Sequence, residues 1–245
     1  YLGDLSKVVH ILPFLNSTSD GGFAVSSHKS LEQKFGDWND LKRISKNHIL
    51  MADLVLNHVS SSHPWVQQFI KSQEPGLSNI FAPSDTLNWR NVVRPRSSSL
   101  FSKINTIDGD KQVWTTFGPD QVDLNWQNPK MIIEFLNLLI LYINNGIKWF
   151  RLDAVGFIWK ESGTTCLHLS KAHLIVKVLR IKLSSLLSDG VLITETNVPQ
   201  KENLSYLETE DEAHMAYNFP LPPLLLEAVI TSRADILNNW IYNWP

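Results

Sequence analysis

Asp53, Asn57 and His58, then Arg151 and Asp153, then Glu195 are the residues whose types and spacing suit chemistry in this chain. Each group stands at the C-terminal end of a short apolar run. In a parallel barrel such strand ends share one rim, where that architecture places its active sites. A lone carboxylate at a strand end is as easily a cap or an ion pair, but several together with Arg and His point to a reaction centre. Two carboxyl groups are what glycosidic bond chemistry needs: one protonates the leaving oxygen while the other attacks the anomeric carbon or activates water. Asp153 and Glu195 are the candidate pair. Arg151, two residues before Asp153, falls on the same strand face, where its charge is expected to keep Asp153 ionised. The same spacing also suits a structural ion pair. Glu195 has no basic neighbour in sequence, which suits an acid that holds its proton.

The elements that must carry these residues alternate. Val8 to Phe14 is a short apolar run containing Pro13, and after a Ser/Asp/Gly-rich turn Asp37-Trp38-Asn39-Asp40 can cap a helix reaching about Asn47. Ile49 to Leu56 is nearly continuously apolar, as a strand buried on both faces of a parallel sheet must be. Asn128-Pro129 is an N-cap and first-turn pair, Ile132 to Ile143 supply the apolar face, and Gly146 sits where a helix ends. The spacing then predicts a strand over 147–152, a helix over 170–187, and strands over 191–194 and 213–219. Strands alternating with helices mean a parallel sheet, open or closed into a barrel. Ser60 to Asn125, rich in Ser, Pro and Asn, is too long for a simple connection and reads as a small inserted subdomain.

A chain of 245 residues, 43% of them hydrophobic, is long enough for one large core. Lys+Arg number 22 against 24 Asp+Glu, and no basic block tracks a phosphate backbone, so nucleic acid is not an expected partner. Met131 to Ile143 is too short and too polar to span a bilayer. The lone Cys166 excludes an internal disulfide, and no signal-like segment opens the chain; both suit a cytoplasmic setting. Oligomeric state is left open. Opening at Tyr1 and stopping at Trp244-Pro245 within helical-looking sequence, the chain reads as cut at both ends.

Three segments, Asp53-Leu54-Val55-Leu56-Asn57-His58, Phe150-Arg151-Leu152-Asp153-Ala154 and Ile193-Thr194-Glu195-Thr196-Asn197, resemble ordered motifs of the α-amylase superfamily, glycoside hydrolase family 13. Val8 to Phe14 with Asp20-Gly21-Gly22-Phe23 looks like that family's second barrel strand and loop, so the resemblance covers nearly the whole chain. It implies an α/β fold, a (β/α)8 TIM barrel, incomplete here and running from about strand 2 to strand 6. Residues 1–59 and 128–245 would be barrel, with an inserted subdomain over 60–127 after strand 3. By the same likeness Asp153 is the nucleophile, Glu195 the acid/base and Arg151 the charge partner of Asp153. Asp20 and His58 would hold glucosyl hydroxyls, and Phe23 would be the stacking platform. Without that context, His58 is equally a rim histidine, Asp20 a turn former before two glycines, and Phe23 a lid over the core. Asn57 is a calcium ligand in some relatives, but no oxygen cluster accompanies it in sequence, so neither metal nor cofactor is expected.

Finer likeness points to the sucrose-phosphorylase-like branch, of glucosylglycerate or sucrose 6-phosphate phosphorylase type. Val93-Arg94-Pro95-Arg96, Val113 to Phe117, Asp120 to Asn125 and Ala216 to Pro223 carry it. It implies an α-glucoside donor and inorganic phosphate as partners, transfer through a covalent glucosyl-Asp153 intermediate, and an anionic acceptor that Arg94 and Arg96 could clamp. A solvated loop with two arginines is the plainer alternative. The same chemistry with water would make a hydrolase, and a non-catalytic binding module is a further possibility. Ser27-His28 stands where many relatives have Asp-Tyr, and the family's fourth motif, a His-Asp pair, is not in this sequence.

Overall fold

The computed structural model describes residues 6–84 and 86–244. Tyr1 and Pro245, where the sequence reads as cut, lie outside them. Strand β1 (Val8–Ile11) is stopped by Pro13, and the chain then forms a hairpin of β2 (Leu15–Ser17) and β3 (Val25–Leu31). This hairpin is absent from the sequence reading. Its segments, Asn16-Ser17 and Ser26-Ser27-His28-Lys29-Ser30, lack the apolar alternation that marks a strand. Helix α1 (Trp38–Ile44) starts at a capping box, Asp37 accepting from the Asn39 and Asp40 N–H groups while Asp40 accepts from the Asp37 N–H at 3.0 Å. It ends at Ser45, short of Asn47.

Strand β4 (Ile49–Val55) follows, buried along nearly its whole length. Beyond it come β5 (His58–Ser60), α2 (Pro64–Ile70), α3 (Gly76–Asn79), the hairpin β6 (Phe101–Thr106) and β7 (Gly109–Trp114), and β8 (Gln121–Asp123), which pairs back onto β5. Helix α4 (Pro129–Asn144) has the expected Asn128 cap, and Gly146 takes φ +92° where a Cβ would strike the Ser45 side chain. Strand β9 (Ile147–Asp153), α5 (Ser170–Leu186), β10 (Val191–Thr194), α6 (Gln200–Leu204), β11 (Met215–Ala216), α7 (Leu221–Thr231) and α8 (Asp235–Tyr242) complete the order. The strand expected over 213–219 is thus only two residues, because the flanking polypeptide turns away to bond side chains and loop carbonyls.

Five strands, β1-β4-β9-β10-β11, make one parallel sheet, the arc of an incomplete (β/α)8 barrel. Register is what brings the chemistry together: Asp53 pairs Arg151, Val55 pairs Asp153, and Thr194, just before Glu195, pairs Leu152. Leu50, Leu54, Phe150, Leu152 and Leu192 pack beneath α4 and α5 through Phe135, Leu139, Tyr142, Val176 and Leu183, all in one buried cluster. Each such side chain contributes about 1.5–3 kcal/mol on burial, which fixes the strand ends in place. Helices α7 and α8 bury no residue and leave Leu226, Val229, Ile230 and Ile241 exposed.

Candidate active site

Strand β9 ends in a sharp turn. Ala154, immediately after Asp153, lies in the left-handed region at φ +51°, a conformation that costs a non-glycine residue energy and recurs at reaction centres. That turn aims the Ala154 N–H at Glu195 Oε2, 3.1 Å away. Asp20 is similarly left-handed, at φ +53°. Both residues line one cavity of about 230 Å³ together with Phe23, His58, Arg96, Phe117, Gln121, Arg151, Asp153 and Glu195. Of the sequence-selected residues, Asp53, Asn57 and Arg94 are not on that wall: Asp53 and Asn57 are buried behind it, and Arg94 is exposed to solvent.

Arg151 is the hub. Its Nη1 donates to Asp53 Oδ1 at 2.5 Å and to Asp153 Oδ1 at 2.9 Å, and its Nη2 lies 3.6 Å from Glu195 Oε1. The expectation that Glu195 lacks a basic neighbour therefore fails in space: one guanidinium fork serves both carboxylates of the pair. Asp53 in turn is 3.0 Å from His10 Nε2 on β1. Phe23 and Tyr217 stand over the guanidinium, their ring centres 5.4 and 5.3 Å from its carbon.

Electrostatics depart from the sequence reading as well. Burial pushes the Asp153 carboxyl up to about 7; Arg151 pulls it down, but the negative charges of Glu195 and Asp53 add to the burial. Arg151 is thus a counterweight that reduces the rise without cancelling it. For Arg151 itself burial works against the charge, yet Asp153, Asp53 and Glu195 outweigh it and hold the guanidinium above its ordinary value.

A second set of bonds shapes the opposite wall. The Gln121 amide donates to Asp20 Oδ2 at 2.8 Å and lies 3.0 Å from His58 Nε2. Burial holds His58 down to about 4, with Asp123 opposing, so its imidazole is neutral at pH 7. Phe117 packs on its ring at 5.2 Å. Behind them is a sealed ion pair: Lys160 Nζ bonds Asp123 Oδ2 at 2.7 Å, Asn57 Oδ1 at 2.8 Å and the Phe157 carbonyl at 2.8 Å. The Asn57 carbonyl that could have served a cation is thus taken by an ammonium. Among the described residues no group of three or more His, Cys, Asp or Glu side chains could hold a metal ion.

Sequence reasoning missed His10, Phe117, Gln121, Lys160 and Tyr217. A signal existed for some: His10 is a polar interruption of the run Val8-Val9-His10-Ile11, and Phe117 and Gln121 lie in segments singled out by likeness. Tyr217 likewise lies in such a segment, Ala216 to Pro223, whereas Lys160 carried no signal.

Residues 1–238 match the α-amylase catalytic domain. The chain is 45% identical over 234 residues to a glucosylglycerate phosphorylase of Allomeiothermus silvanus, covering 95% of this chain and 42% of that protein. The glucosylglycerate phosphorylase of Escherichia coli shares 39% over 246 residues, 99% of this chain and 44% of that protein. A crystal structure of sucrose 6F-phosphate phosphorylase from Thermoanaerobacter thermosaccharolyticum superposes with TM-score 0.87 at 27% identity, covering 100% of this chain and 52% of that one. The chain thus spans about half, or less, of the length of these relatives. With strands, strand-end carboxylates and domain match all in agreement, the chain belongs to the α-amylase catalytic-domain family, glycoside hydrolase family 13.

Proposed function

We propose that the complete protein is a retaining α-glucoside phosphorylase that moves a glucosyl unit from a sucrose-like or glucosylglycerate-like donor to inorganic phosphate. The observation that carries this reading is the Asp153–Arg151–Glu195 arrangement on one cavity wall. In the first step an Asp153 carboxylate oxygen attacks the anomeric carbon while Glu195 gives its proton to the departing oxygen, leaving a β-glucosyl ester. In the second, a phosphate oxygen attacks that ester, Glu195 accepts the proton, and Asp153 departs, giving an α-glucosyl phosphate with net retention.

Asp20, His58 and Phe23 take the glucosyl unit in this scheme. A neutral His58 supports that role, because it can share a hydroxyl proton without adding positive charge beside the oxocarbenium-like centre. Residues 1–59 and 128–245 act as the barrel and 60–127 as an inserted subdomain overhanging its rim, from which Arg96 reaches the cavity. Arg96 would meet an anionic acceptor by a two-pronged charge-assisted bond. The phosphorylase assignment draws its support from the relatives at 45% and 39% identity. No helix of the described residues is long and apolar enough to cross a membrane. The lone cysteine, buried and free, supports a reducing, cytoplasmic setting.

The test is incubation of the complete protein with sucrose, sucrose 6-phosphate and glucosylglycerate, with and without phosphate. Phosphate-dependent release of α-glucose 1-phosphate is the expected result. Free glucose in equal amount with or without phosphate would replace the phosphorylase by a hydrolase, and absence of turnover on all donors would remove the enzyme reading.

A further inference from the structure

Arg151 stands between two aromatic rings that approach it from unrelated parts of the chain. Phe23 comes from the turn between β2 and β3, and Tyr217 follows β11. Rings over a guanidinium restrain its tilt and leave its edge, where every N–H lies, for acceptors. Here the acceptors are Asp53, Asp153 and Glu195. Tyr217 is itself anchored around Glu195: its N–H donates to the Thr194 carbonyl at 3.0 Å, and its carbonyl accepts from Asn203, whose amide oxygen holds the Thr196 hydroxyl at 2.7 Å. Thr194 and Thr196 flank Glu195 directly.

We propose that Tyr217 is a positioning residue: its ring holds the Arg151 guanidinium in the orientation that places one nitrogen on Asp153 and the other beside Glu195. Among the described residues its side chain bonds neither of those carboxylates, and it acts through the arginine. Asp153 is faced by Arg151 on its own strand, by Asp53 with its partner His10 across β4 and β1, and by Glu195 beyond β10; Asp20, His58 and Arg96 line the remaining wall. Among the described residues, Arg151 is the cation that opposes the rise of the Asp153 carboxyl. If the ring is lost, the guanidinium tilts, that opposition weakens, and Asp153 holds its proton to higher pH.

The experiment uses the complete protein with Tyr217→Leu, Tyr217→Met and Tyr217→Phe, melting curves confirming that each is folded. Two readouts are taken: kcat/KM for the glucosyl donor against pH, and direct titration of the Asp153 carboxyl by carbon-13 NMR. Leu and Met should move the acid limb and the carboxyl titration together by about one pH unit, a tenfold loss on the acid side, while Phe leaves both in place. The kinetic arm rests on the proposed nucleophilic role of Asp153; the titration arm does not. A wild type with no turnover would defeat that role and leave the titration to judge the clamp. An unmoved Asp153 titration in folded Leu and Met variants overturns the proposal, as would an equal shift in Phe.

Discussion

Lys160, buried, and Arg151, partly buried at the cavity, are two cations of this fold that keep different company. Lys160 faces one carboxylate, Asp123, and every remaining group around the pair is neutral: the Asn57 amide, the Phe157 carbonyl, and the N–H and hydroxyl of Thr116, which donate to Asp123 at 2.9 and 2.6 Å. Arg151 faces three carboxylates, Asp53, Asp153 and Glu195. The Lys160 pair is balanced and sealed, with side chains 2% and 0% exposed; the Arg151 cluster is short of positive charge and opens on the cavity. A balanced pair, fully hydrogen-bonded, is costly to break by removing one partner, because the other charge is then left unpaired in the interior. Surplus negative charge beside a cavity instead favours binding of a group that develops positive charge, which an oxocarbenium-like transition state does. Under the proposed mechanism, the difference separates a residue set that holds the wall from one that reacts.

The comparison breaks most visibly at Asp153. Asp153→Asn should lower donor turnover by roughly 10⁴-fold or more while raising the melting temperature, since a surplus buried carboxylate is removed without loss of volume. Rapid-quench kinetics and calorimetry check the two halves; a variant that is both inactive and less stable would place Asp153 with the structural ions. Glu195→Gln should slow transfer from ordinary donors by about 10²–10⁴-fold but spare formation of the glucosyl ester from α-glucosyl fluoride, whose leaving group needs no proton.

Lys160 should behave in the opposite sense. Lys160→Met strands Asp123 in the interior and is expected to cost about 3–5 kcal/mol in urea unfolding, with kcat little changed at temperatures where the protein stays folded. Adding Asp123→Asn should recover part of that loss, because the unpaired charge is then gone. A large loss of kcat with unchanged stability would move Lys160 into the reacting set.

How far these two clusters could be read in advance depended on sequence distance. Asp153, Glu195 and Arg151 each end an apolar run, so strand periodicity alone isolates them, and parallel pairing then forces them onto one rim. Asp123 and Lys160 end no such pattern: Lys160 meets Asn57 across 103 residues, and only the fold shows that the lysine is interior. The rise of the Asp153 carboxyl is hidden from the sequence for the same reason: Arg151 is two residues away, but burial, the largest cause, and the charges of Glu195 and Asp53 come only with the fold. The β2–β3 hairpin escaped because its polar strands lack alternation, and the 213–219 segment was over-extended because apolar content was read as strand where side-chain bonds shape a loop.

Acidity offers a finer test of the surplus charge. Burial pushes the Asp153 carboxyl up to about 7, above its unfolded value near 4, so the ionised carboxylate, the proposed nucleophile, is lost as pH falls through 7. Donor kcat/KM should therefore fall about tenfold per unit on the acid side. Stability from this group runs the other way: it is fully present below about 4 and is lost as pH rises through 7. Asp153→Asn and wild type should melt alike near pH 4 and diverge towards pH 7, the variant above. Buried neutral His28 and His58, held down to about 4, add an opposite trend common to both proteins: their contribution is complete above about 6.5 and is lost as pH falls to about 4. Comparing the two proteins cancels it.

The smallest expected effect lies at the rim, and the structure divides what sequence had joined. Arg94 and Arg96 are equivalent candidates as an anion clamp by residue type, but only Arg96 lines the cavity, while Arg94 points to neither Asp153 nor Glu195 through any bond among the described residues. Arg96→Ala should raise KM for phosphate or another charged acceptor about tenfold, at the low end of a lost charge-assisted bond, and leave formation of the glucosyl ester unchanged. Arg94→Ala should change neither by more than about twofold, because an exposed arginine without a fixed partner contributes little. Equal losses from both substitutions would mean that the pair acts together on an acceptor held further out than the cavity, and equal losses with charged and neutral acceptors would reduce both arginines to supports of the loop. A KM change confined to Arg96 and to charged acceptors would tie the anion to the same wall that carries Asp153, a few side chains from the reacting carbon.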